Sequence, residues 1–141
     1  MTRTPTPNWQ PLSRLPLFTT MIDEAVVEAQ AMLGNVQTGV QTPHVLDDHT
    51  VDRILNLYTE TLEFIALYQA QLKCWQGEAT DPETQAEIER LLACLPELET
   101  TARAIIKGAQ QIRTGTIDRI MEMDDAALGL AGLSGQGFPG R

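Results

Sequence analysis

Only two of the 141 residues are cysteine, Cys74 and Cys94, and they form no C-x-x-C pair. A small secreted scaffold stapled by disulfides is therefore excluded. Two half-buried thiols in a reducing compartment are the expected state. A Cys74–Cys94 bridge is within reach if their helices are neighbours, but nothing in the sequence demands one. Histidine is just as scarce. There are two, His44 and His49, both in one short stretch. No apolar run approaches the ~20 residues needed to span a bilayer. The opening residues, with Pro5, Pro7 and Pro11, hold no basic region followed by an apolar core, so no signal peptide is read there. A cytoplasmic location is expected.

Cations are few as well: 10 Lys and Arg against 19 Asp and Glu, a net charge of −9. Such a surface repels phosphate backbones and anionic membranes at long range. Arg103 and Lys107 share a helical face, but Arg113 and Arg119 fall on other sides, so no basic patch forms. No membrane partner is expected, and a nucleic-acid-associated regulator is a second alternative reading that this acidity disfavours. The chain also lacks a G-x-x-x-x-G-K loop, a G-x-G-x-x-G turn and an H-E-x-x-H pair. It has no Glu-x-x-His for a dinuclear carboxylate site. A thiol of Cys74 or Cys94 beside His44 or His49 is the nearest approach to a nucleophile and base, and no local signature supports it. The sequence thus names no catalytic residue and calls for no cofactor.

What is present is an ordinary globular composition, 43% apolar and 21% charged, in a chain of one domain's length. Apolar residues recur at steps of three and four, and no stretch alternates, so the fold class is all-α. Residues 1–14 read as a proline-rich arm, with Trp9 as the one large apolar group to dock on the bundle or on a partner. Residues 15–133 read as the helical domain, and 134–141 as a flexible tail.

A first helix is predicted over Pro16–Leu33, with Phe18, Met21, Ile22, Ala25, Val26, Ala29, Met32 and Leu33 on one stripe. Gly34 is expected to stop it. Residues 34–49 then form a long connector. A second helix, Thr50–Trp75, begins at a cap from Asp47 or Asp48. Its main stripe is Val51, Ile54, Leu55, Tyr58, Leu62, Ile65, Tyr68, Leu72 and Trp75. Leu57, Phe64 and Leu67 widen that stripe to half the circumference or more, beyond the roughly 100° that one packing layer requires. The second helix should therefore be central, or covered on a second side by another chain. Asp81-Pro82-Glu83 is a helix start, with a capping carboxylate, proline at the first position and an acid in the first turn. The third helix is expected to reach Arg113 with a kink, not a loop, at Pro96. Arg103, Lys107 and Arg113 fall in its later turns, where the dipole favours cations. Thr114-Gly115 reads as a break, followed by a shorter helix from Ile117 to Leu133. The expected architecture is an antiparallel bundle of three long helices plus a shorter C-terminal helix, with flexible ends.

Two sets of residues are candidates for function. Leu57, Phe64 and Leu67 form an apolar face suited to an interface. With apolar groups on both ends (Trp9, Leu12, Leu15; Leu128, Leu130, Leu133, Phe138), they point to a non-enzymatic interaction or assembly protein. Its partner would be a second copy, as a homodimer or larger homo-oligomer, or another protein. The alternative set is His44, Asp47, Asp48 and His49, whose imidazoles and carboxylates could ligate a divalent metal or a small ligand from the 34–49 connector. Against it, their spacing matches no known box, and Asp47 and Asp48 are equally placed to cap a helix.

Overall fold

A computed structural model describes residues 9–42 and 45–133, with side chains through Thr116. Every regular element in them is helical. A single 3-10 turn, Leu12–Arg14, leads into α1 (Leu15–Gln41), which is followed by α2 (Asp48–Glu78) and α3 (Pro82–Leu133). Residues 1–8, His44 and the tail expected at 134–141 lie outside the described residues.

The helix starts follow local chemistry. Asp47 caps α2, its Oδ1 accepting from the Thr50 backbone N–H at 2.7 Å. Asp81 caps α3 in the same way, accepting from the Thr84 N–H at 2.9 Å and from the Thr84 hydroxyl at 2.8 Å. Each side chain satisfies a backbone donor that the helix itself leaves without a partner.

Two expected breaks are corrected. Gly34 does not end α1, which runs on to Gln41. Glycine stops a helix only where the following packing does not pull it onward. Here Val36 and Gly39 are buried and extend the core stripe, so burial outweighs the ~1 kcal/mol helix cost of glycine. The connector of 34–49 shrinks to residues 42–47. Thr114-Gly115 does not break α3 either. The helix is continuous to Leu133, so the shorter C-terminal helix is not a separate element. Pro96 sits on an exposed turn within α3 and does not open a loop there.

The core is laid out in steps of seven residues. In α1 the buried row is Leu15, Ile22, Ala29 and Val36. In α2 it is Val51, Tyr58, Ile65 and Leu72. In α3 there are two such rows, Ile88, Leu95, Ala102 and Ala109, and Leu91, Leu98, Ile105 and Ile112. A seven-residue repeat keeps one seam facing its neighbours along the helix, as in coiled-coil packing. Because α3 buries two full rows, it is the central helix, and both α1 and α2 pack along it. Of the two expectations for α2, a central place or cover from another chain, the central place is corrected accordingly.

Small residues set how closely α1 and α3 approach. A Cβ on Gly108 would collide with Val36 Cγ1, and one on Gly39 would come within 2.9 Å of Ile112 Cδ1. Ion pairs at the edges fix the register. Arg90 on α3 reaches Asp23 on α1 at 3.0 Å and Glu87 on its own helix at 2.9 Å. Arg113 joins Asp48 at 3.1 Å and Asp52 at 3.2 Å at the start of α2. At the other end of α2, Gln85 Nε2 donates to the carbonyls of Gln76 and Ala79. Arg113 thus lies inside the longer α3 and pairs across to α2, instead of sitting in the last turns of its helix as expected.

Candidate functional site

Since α1 and α2 both lean on α3, they leave a cleft between them. Each turns a second seven-residue row towards the other. On α1 this row is Phe18, Ala25 and Met32, all half-buried, and on α2 it is Ile54, Thr61, Tyr68 and Trp75, of which Thr61 and Tyr68 are half-buried and Ile54 and Trp75 are buried. At one end of the cleft the two helices meet through aromatic rings. Phe18 packs edge-on against Trp75 at 4.7 Å and Tyr68 at 5.5 Å between centroids. The walls also part into two hollows, the first beside these same rings. One, of about 410 Å³, is lined by Trp9, Phe18, Met21, Phe64, Leu67 and Gln71, among others. The other, of about 500 Å³, is lined by Met32, Thr50, Arg53, Ile54, Leu57 and Glu60, among others.

The candidate interface residues stand on this cleft. Leu57 is 52% exposed, Phe64 47% and Leu67 63%. Phe64 stacks on Tyr68 at 6.2 Å, which aligns its ring with the cleft wall. Met21, Leu17 and Trp9 add exposed apolar surface near the same end. An exposed leucine alone is normal; Phe64 and Leu67 share one hollow, and Leu57 lines the other.

The arm closes one end of the cleft, through residues that the sequence pattern does not flag. The backbone N–H of Gln10 donates to Gln71 Oε1 at 2.7 Å, and the Gln10 carbonyl accepts from Trp75 Nε1 at 2.8 Å. Gln71 is only 5% exposed, and its Nε2 has no partner. Trp9 itself is half-exposed on the rim, so the docking point is the backbone of Gln10 and not the indole. The only sequence signal for Gln71 is its place four residues before a buried tryptophan.

Charge is sparse in the hollows themselves, where Glu60 and Arg53 line the second and no charged residue lines the first. No Lys, Arg or His occurs over residues 15–41 or 54–72, whereas Glu24, Glu28, Glu60 and Glu63 are all exposed there. None of these four is in an ion pair among the described residues. Glu28 follows Met21 by seven residues and faces α2. Its charge, after burial, helps to push the Tyr58 hydroxyl above its ordinary pKa. On α3, Arg90, Arg103 and Arg113 are each tied to carboxylates, while Arg53 and Lys73 lie on α2 and Arg14 just before α1.

The second candidate set is not assembled among the described residues. Asp47 is occupied as a cap, which holds its carboxyl below the usual range. Asp48 pairs with Arg113. His49 is exposed, and His44 lies outside the described residues. No group of three or more metal-ligating side chains occurs among the described residues. Cys74 and Cys94 are both free and half-buried, and burial pushes the Cys94 thiol up, away from the reactive thiolate. No described helix is long and apolar enough to cross a membrane. No family model, curated protein or solved structure matches the chain.

Proposed function

We propose that this chain is a non-enzymatic protein–protein interaction module, an antiparallel three-helix bundle that works through the open cleft between α1 and α2. The observation that carries the reading is the set of large exposed apolar side chains, Leu57, Phe64 and Leu67, beside a cleft whose floor is only half-buried at Phe18, Ala25, Met32, Thr61 and Tyr68. A bundle that has finished burying its apolar surface leaves no such rows. Placing one more helix in the groove is the established way of covering them. Self-association is one form of this activity, with a second copy as the occupant.

A photo-crosslinking amino acid placed at Leu67, with a control at Ala104 on α3, tests the reading in the cells that make the protein. Both side chains are exposed. A discrete adduct from position 67 and none from position 104 is the expected result. No adduct from either position overturns it. Light scattering at two concentrations separates the self-associating form from the foreign-partner form.

A further inference from the structure

We infer that the hollow at the arm end of the cleft binds a small, uncharged aromatic molecule that carries a hydrogen-bond acceptor, such as a carbonyl oxygen. This goes beyond the interaction reading and does not rest on it, since a protein on the outer face and a small molecule in the hollow are separate events.

The orphaned donor of Gln71 carries the inference. Gln71 is 5% exposed, and its Nε2 is the only buried side-chain nitrogen or oxygen among the described residues without a hydrogen-bond partner. The carboxamide cannot turn round to remedy this. Its Oε1 accepts from the Gln10 N–H at 2.7 Å, and exchanging the two ends would set donor against donor. A buried donor left bare is costly, and a ligand's acceptor would recover that cost.

Helix geometry directs the donor to the hollow. A helical side chain leans towards the N-terminus of its helix, over the residues three and four positions earlier. For Gln71 these are Tyr68 and Leu67. Both line the hollow, as do Gln71 itself and Gln10. Nε2 is closed to solvent in this conformation, so the acceptor takes the place of a side chain that now covers it. Leu67 is 63% exposed, and little packing opposes its turning aside.

The rest of the wall sets the remaining chemistry. Trp9, Phe18, Phe64 and Tyr68 offer rings, and Met21 offers a thioether, surfaces that favour a flat aromatic body. No charged residue lines the hollow, so an ion entering it would lose water and gain no counter-charge. Its volume of about 410 Å³ lies within the ~300–1,000 Å³ of small-molecule sites. The second hollow, lined by Arg53 and Glu60 among others, has no orphaned buried group.

The test uses the full chain and two uncharged naphthalene probes. One is prodan, a dimethylamino-naphthalene bearing a propionyl ketone. The other carries propyl in place of propionyl and so lacks the carbonyl. Binding is read by energy transfer from tryptophan, because Trp9 lines the hollow and Trp75 packs on Phe18 beside it. The propyl probe is the more apolar, so burial alone would favour it. Prodan should nevertheless bind about tenfold more tightly. A naphthalene carboxylate of similar size should bind at least about tenfold more weakly than prodan.

Variants tie that preference to the donor. Gln71→Glu keeps an oxygen for the Gln10 N–H and replaces the free donor with an acceptor. Gln71→Met removes both ends of the amide at similar length. In each the preference for prodan over the propyl probe should disappear. Trypsin cleavage after Arg14 should be unchanged in Gln71→Glu, with the arm still in place. Phe64→Ser should weaken both probes alike, and Leu57→Ser, in the other hollow, neither. The inference is overturned if prodan does not bind, or if the propyl probe or the carboxylate binds as tightly. A preference that survives Gln71→Met overturns it too, as do equal losses in Phe64→Ser and Leu57→Ser. An adduct at position 67 without prodan binding leaves the interaction reading standing and removes only this one. Prodan binding without an adduct does the reverse.

Discussion

The indole Nε1 of Trp75 donates to the backbone carbonyl of Gln10 at 2.8 Å, although 65 residues separate the two in sequence. This bond makes the arm part of the fold at that point. The Gln10 N–H adds a second bond, to Gln71 Oε1. A buried amide with one satisfied and one unsatisfied end contributes little net stability, because the orphaned donor offsets the bond that is made.

Gln71→Leu should therefore leave global stability within about 1 kcal/mol of the parent while loosening the arm. Arg14 is exposed beside that arm, and limited trypsin digestion reads the effect. Cleavage after Arg14 should quicken in Gln71→Leu while the helical core stays resistant. Unchanged cleavage would mean that the two Gln10 bonds do not hold the arm.

Gly108 and Gly34 should respond in opposite directions to the same change. At Gly108 an added methyl meets the Cγ1 of Val36 inside the α1–α3 contact. Overpacking of that kind costs about 1–3 kcal/mol. At Gly34 there is open space around the added atom, within a helix. Alanine there should stabilise by about 0.5–1 kcal/mol, since glycine gives up more backbone freedom on folding. Chemical denaturation of the two alanine variants checks both signs.

Much of this was legible in the sequence, and the misses have physical causes. Capping by Asp81 follows from residue type and position alone, and for α2 the same signs narrow the cap to Asp47 or Asp48. So do the core rows of α3, because 88, 95, 102 and 109, and 91, 98, 105 and 112, are occupied by small or aliphatic residues throughout. Gly34 misled because a glycine marks a stop only in the absence of burial beyond it, and the burial of Val36 and Gly39 depends on α3 lying alongside. The rank of α2 misled because the width of an apolar face says how much surface seeks cover, not what covers it. Leu57, Phe64 and Leu67 stood out for that width, yet the cleft beside them could not be seen. It exists only because α1 and α2 both pack on α3 and part from each other.

Acid should weaken the fold through its caps. Hydrogen bonds from Thr50 hold Asp47 below its ordinary value of 3.8, and those from Thr84 do the same for Asp81. Glu87 is held below 4.5, chiefly by Arg90. A carboxylate whose folded pKa is depressed contributes stability that is fully present above its unfolded pKa. That contribution is lost as the pH falls through the folded value. The thermal midpoint should hold level above about pH 5 and drop below about pH 4. Asparagine caps as well as aspartate but does not titrate. Asp47→Asn with Asp81→Asn should therefore flatten part of that acid limb while leaving the neutral-pH midpoint nearly unchanged. A limb of unaltered slope would show that the caps do not set it.

Phe64 and Ile65 are adjacent in sequence and should differ sharply in what they contribute to the fold. Ile65 is buried in the α2 row, and Phe64 is half-exposed on the cleft wall. Ile65→Ala should cost about 2–5 kcal/mol, the usual range for emptying a buried aliphatic site. Phe64→Ser loses a stacking contact with Tyr68 and little else, so it should stay within about 1 kcal/mol of the parent. The contrast bears directly on the cleft. A ring that adds almost nothing to folding is one whose substitution tests docking without disturbing the bundle. If Phe64→Ser unfolded the protein as readily as Ile65→Ala, the ring would be a core residue and the cleft a seam of the bundle. A stable Phe64→Ser protein leaves the ring free for docking, and makes that variant a sound control for every binding experiment on this face.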